Sequence, residues 1–193
     1  MAFLPPALPY EKHALEPQLS VDWISERYDG RHRQCLARLN SLVADSPLAD
    51  ASLEDLLHSA FGETFSLAAE AWSLTFYWHC LAPRGGGKPA GAMARAIEAA
   101  FGSFDQFERN MTAAARDNRT SAWSWLVQDA NGNLVVIDSP CPLASGHFPL
   151  LAIEASGPGA HSPQTPDHRA YLKAVWKVIN WDFVARQHAD VGG

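Results

Sequence analysis

Residues 66–83 read SLAAEAWSLTFYWHCLAP, and the longer stretch from Phe65 to Leu81 is strongly apolar and free of helix breakers. A helix that is apolar all round has no face to offer water, so it is expected to run buried through the molecule. Ala82-Pro83, followed by Gly85, Gly86 and Gly87, ends it. A proline and three glycines so close together make the clearest break in the chain. The boundary between two units is placed there, with a helical domain over 1–84 and a second domain over 88–193.

Upstream of this helix, Leu4 to Pro9 is proline-rich and reads as an extended arm. Ser20 is placed to cap a helix from about Val21, with Asp22 favourable in its first turn. Trp23, Ile24, Leu36, Leu39 and Leu42 give that region its apolar pattern. Ser52 and Asp55 form a start resembling a capping box, ahead of a face made by Leu53, Leu56, Leu57 and Ala60.

Downstream, a helix is expected from about Ala90 to Phe101, closed by Gly102. Ser103 and Gln106 form a capping box for another, to about Arg116. Strand signals follow at Trp123 to Val127 and at Leu134 to Ile137. Asn131-Gly132 between them predicts a type I′ hairpin turn. Leu150 to Glu154 reads as a third strand, Ala155 to Pro166 as a loop, and Asp167 through Val184 as a closing helical segment. The pattern is α+β: an N-terminal helical hairpin domain, then a three-stranded antiparallel sheet with helices.

Composition narrows the function classes. The chain has 193 residues, 47% of them hydrophobic, with seven Trp and nine Phe, so an aromatic-lined core is expected. Net charge is −6 with only 15 Lys and Arg, which argues against a surface that binds a phosphate backbone, and so against nucleic acid. No apolar run is long enough for a membrane span, and Met1 to Tyr10 carries no signal-peptide pattern. Cys35, Cys80 and Cys141 are odd in number and form no CxxC, which suits a reducing cytoplasm.

Taken together, the motifs resemble a known family. FLPPALPYEKHALEPQLS is similar to the N-terminus of the iron/manganese superoxide dismutases, with its L-P-x-L-P-Y signature. Ser66 to Pro83 resembles that family's A-A-Q-x-W-N-H-x-F-Y-W-x-C-L-x-P helix. FGSFDQFERNM, SAWSWLV and VWKVINWDFVARQ match its F-G-S-F-x-x-F, S-G-W-x-W-L and W-x-x-(I/V)-N-W segments, in order along the whole chain. The resemblance implies the dismutase fold. It also implies a redox metal, iron or manganese, held by three His and one Asp, with superoxide binding at an open position.

At the positions where the resemblance puts those four ligands, this chain has Arg27, Leu74, Glu154 and Pro158. Arg is protonated at ordinary pH and has no lone pair, and Leu and Pro offer no donor atom. Only Glu154 remains as a possible ligand. The family's channel-mouth Tyr corresponds to Cys35, the Gln that bonds metal-bound solvent to Glu70, and the Glu that bridges the dimer to Gly157. His32 matches a His near the channel entrance.

The substitutions lead to an expectation: the Arg27 guanidinium stands in for the metal's positive charge and pairs with Glu154, Glu70 or both, with Leu74 filling the adjoining space. The alternative is a rotated helix with Arg27 in solvent. Three functional readings follow. The favoured one is a metal-free pseudoenzyme kept for binding or regulation, with no cofactor, as a homodimer or with another protein partner. The second is a divergent dismutase or other oxidoreductase with a rebuilt iron or manganese site, for which His147, His161 and His168 are candidate ligands with Glu154 or Cys35. The third is an enzyme using Cys35 in the old cavity, activated by His32 and Arg31 nearby in sequence.

Overall fold

The structure, a computed structural model, describes residues 2–118, 121–155 and 166–191. The first arm is helical from Val21 to Val43 but not uniformly so. Helix α1 (Val21–Ser25) passes into a π-helical stretch, Glu26–His32, and then into α2 (Arg33–Val43). Ser20 caps it as expected, its Oγ accepting from the Trp23 amide at 3.2 Å. In α3 (Leu53–Ser59), Ser52 and Asp55 form the reciprocal capping box.

Helix α4 (Gly62–His79) is the buried helix expected from residues 65–81. Ala68, Ala69, Ala71, Leu74 and Tyr77 are fully buried around its circumference. The hydroxyl of its fully buried Ser73 donates to the Pro140 carbonyl at 2.8 Å and so has a partner.

In the second half, α5 (Gly91–Phe101) closes on Gly102, whose φ of 79° is a left-handed cap. Helix α6 (Phe104–Asp117) starts at Ser103, which accepts from the Gln106 amide; the Gln106 side chain turns instead to Asn110, so only half of the expected box forms. Strands β1 (Trp123–Gln128), β2 (Leu134–Asp138) and β3 (Phe148–Glu154) make an antiparallel sheet in the order β2-β1-β3. Trp123 lies opposite Glu154 in its register. One buried cluster runs from Leu15 and Trp23 through Trp78, Trp123 and Trp125 to Val184, so the two halves share a core.

Two expectations need correction. The β1–β2 turn is not type I′, because that turn needs a positive φ at both central residues and only Gly132 has one. Instead the Asp129 carboxylate accepts from the amides of Asn131 and Asn133, both at 2.8 Å, and this side-chain bonding sets a longer loop. Nor is the closing segment one helix. It divides into α7 (Pro166–Val175) and α8 (Trp181–Val191). Between them the backbone turns to the break after α4: Ala82 N donates to Val178 O, Gly86 N to Ile179 O, and Asn180 N to Cys80 O. Tertiary hydrogen bonds here override a helical pattern.

Those bonds explain Gly85. A Cβ there would lie 2.5 Å from the Ile179 carbonyl oxygen and 2.6 Å from that of Val178. Backbone atoms cannot move aside as a side-chain end can. Gly85→Ala is therefore expected to lower stability by about 1–3 kcal/mol in urea unfolding. Gly30→Ala, where a Cβ meets nothing within 4 Å, is expected to leave stability unchanged or raise it.

Candidate functional site

The site lies where the first helical arm, α4 and the end of β3 meet. In the π-helical stretch each turn is widened by i→i+5 bonding. Residues four and five apart then face the same way, which turns Arg27, Arg31 and His32 toward the interior. Glu154 closes β3, and Glu70 is on α4.

The four charged groups form a chain. Arg27 Nε donates to Glu154 Oε2 at 2.7 Å, and Arg31 Nη1 donates to Glu154 Oε1 at 2.6 Å. Arg31 Nε pairs with Glu70 Oε1 at 2.6 Å. The Trp123 indole N–H donates to Glu70 Oε2 at 3.1 Å. Glu154 is fully buried and Arg27 is 6% exposed, which rules out the solvent-facing alternative for Arg27. Arg27 also lies over Trp23, with Cζ 4.2 Å from the ring centroid, a cation–π contact. Burial pulls the Arg27 pKa down, but the charge of Glu154 and its hydrogen bond outweigh it, and the net shift is upward. Burial raises the Glu70 pKa against the opposing pull of Arg31 and Trp123. Two guanidiniums thus face two carboxylates, and both oxygens of Glu154 are taken.

Leu74 is fully buried. His32 is also buried; its Nδ1 accepts from the Trp78 indole N–H at 3.3 Å. Burial pulls the His32 pKa down to about 4, with only the Ala71 backbone opposing, so the ring is neutral at pH 7. Beyond the cluster, the hydroxyls of Tyr77 and Tyr171 are 2.9 Å apart.

The arrangement does not fit an iron or manganese ion at the positions that the resemblance assigns. Arg27 puts a cation where a ligand belongs, Leu74 has no donor, and Glu154 already holds two guanidiniums. Pro158 lies outside the described residues, as do Gly157 and His161. Among the described residues no group of three or more His, Cys, Asp or Glu side chains is arranged to hold a metal. Of the other candidate ligands, His168 is buried and within electrostatic reach of Glu154. His147 precedes β3, at the opposite end from Glu154. At about 3.3 Å per residue the strand holds them roughly 20 Å apart, so these two are not co-ligands.

Cys35 also differs from expectation. It is buried, its thiol donates to the Leu67 carbonyl at 3.1 Å, and burial, with Glu70 adding to it, pushes its pKa up to about 12. Arg31 pulls the other way and is outweighed. An activated thiolate does not form in that setting. Sequence reasoning missed the bridging role of Arg31. Its spacing of four from Arg27 was the available signal, but a π-helical turn is invisible to a period of 3.6.

Removing one partner of a buried ion pair leaves the other uncompensated. Arg27→Ala is therefore expected to cost about 3–5 kcal/mol in denaturant unfolding. His32 generates a pH prediction. Its folded pKa of about 4 lies below the ordinary histidine value of 6.5, so between those values the unfolded state binds more protons. Stability should then fall as pH drops through that window, by up to about 1.4 kcal/mol per pH unit. His32→Asn should flatten this slope in urea titrations at matched pH.

Comparison with known proteins agrees with the fold. The family model for the iron/manganese superoxide dismutase alpha-hairpin domain matches residues 2–82, and that for the C-terminal domain matches residues 89–187. The chain is 39% identical to a Superoxide dismutase [Fe] of Photobacterium leiognathi, over 97% of this chain and 100% of that one. It is 38% identical to the Superoxide dismutase [Fe] of Escherichia coli K12, over 98% and 100%. The identity to that of Coxiella burnetii is 36%, over 96% and 98%. The chain belongs to the iron/manganese superoxide dismutase family.

Proposed function

We propose that this chain keeps the dismutase fold around an arginine–carboxylate cluster in place of a metal, and acts as a binding or regulatory protein rather than as a dismutase. The observation that carries this reading is the Arg27 guanidinium on Glu154 at 2.7 Å, in the position the resemblance gives to a metal ligand. A cation fixed there repels an incoming metal ion and already satisfies the one carboxylate left to receive it.

A second reading has its own support. Identity of 36–39% over nearly the full length to proteins named Superoxide dismutase [Fe] favours, taken by itself, a dismutase-like activity. On that reading Glu154 is released from its arginines and joins ligands supplied by a different set of side chains. A homodimer is part of both readings, since the family resemblance implies one.

Elemental analysis of protein purified without chelators and then incubated with iron or manganese separates them, paired with a superoxide assay. The first reading expects metal well below one ion per chain and no dismutation above the buffer rate. Stoichiometric metal with catalytic dismutation refutes it. Sedimentation at micromolar concentration tests the dimer, and a monomer alone refutes that part.

A further inference from the structure

The chain's few cations are scattered in sequence, yet several come together in a cleft between α6 and α7, on the far face of α7 from its buried Tyr171. The cleft has a volume of about 920 Å³ and is bounded by Thr112 and Arg116 on one side and by Arg169, Lys173 and Lys177 on the other, over Trp176. Arg169, Lys173 and Lys177 repeat every four residues, so each is about 6 Å along the axis from the next while helical geometry lasts. All three are exposed. None is in an ion pair among the described residues, whereas Lys12, Arg38 and Lys88 elsewhere on the surface are each paired with a carboxylate.

The rest of the lining is consistent with an anion. Arg116 is neutralised by Asp117 at 2.7 Å. That leaves Glu108 as the one uncompensated carboxylate among the described residues lining the cleft, against three cations. The Trp176 indole N–H donates to Thr112 Oγ1 at 2.9 Å. The Thr112 hydroxyl accepts that bond, and its own proton is left to donate into the cleft. In a chain of net charge −6, a row of unpaired cations concentrates positive potential in one place.

We propose that this cleft binds an oligophosphate group, free or carried by a nucleotide. Neighbouring phosphates along the chain would be met in turn by Arg169, Lys173 and Lys177, with the Thr112 hydroxyl as a neutral donor. The site is separate from the arginine–carboxylate cluster and does not depend on whether that cluster ever yields to a metal.

Isothermal titration calorimetry of the full chain in metal-free, low-salt buffer tests the proposal, with tripolyphosphate, ADP and ATP as probes. Saturable binding of tripolyphosphate is expected, weakened at least about tenfold by either Arg169→Glu or Lys173→Glu. Both side chains are exposed, so the variants should fold, and an unchanged circular dichroism spectrum checks this. ATP binding more tightly than tripolyphosphate assigns the site to nucleotides; equal affinity assigns it to the oligophosphate alone. No saturable heat at millimolar probe, or equal binding by the charge-reversed variants, overturns the proposal.

Discussion

The Arg27–Glu154 pair sits in the interior, where an ionised side chain survives only if another group compensates it. Glu154 is fully buried at the end of β3, and its two oxygens are each met by a guanidinium from the first helical arm. Glu70 on α4 and the Trp123 indole on β1 extend the network. The cluster therefore ties the helical arm, the central helix and the sheet together at one point. In the fold family a metal is expected at that junction; here fixed charges of both signs bridge the same elements. Such a pair adds little net stability over an apolar replacement, but it penalises any packing that separates its members.

Much of the fold was legible because local signals and global packing agree. The apolar run from Phe65 to Leu81 could only be a buried helix, and Ser20 and Ser52 mark their helix starts through ordinary capping chemistry. The misreadings came where distant backbone intervened. Val178, Ile179 and Asn180 spend their backbone groups on Cys80, Ala82 and Gly86, which breaks a segment that looks helical in isolation. Asp129 reshapes the turn between β1 and β2 away from the type I′ form that Asn131-Gly132 alone predicts. The side chains standing at the ligand positions that the resemblance assigns were readable one by one. The role of Arg31 was not, since it depends on a local widening of the helix that leaves no composition signature.

Identity to iron dismutases and the nature of the site pull in different directions, and the reason is physical. Residues that build core, caps and turns specify a fold whatever chemistry it carries. Activity in such a fold rests on a handful of donor atoms. Exchanging an imidazole for a guanidinium or a leucine alters overall identity hardly at all, yet removes lone pairs outright. Trp23, Tyr77, Trp78 and Trp123 wall the centre.

The most direct measurement is anomalous diffraction at the iron and manganese edges, from crystals grown with each metal in excess. The account predicts no anomalous peak at the junction, with density for the Arg27 guanidinium lying against Glu154. A peak bonded to Glu154, with Arg27 displaced from it, would contradict the account.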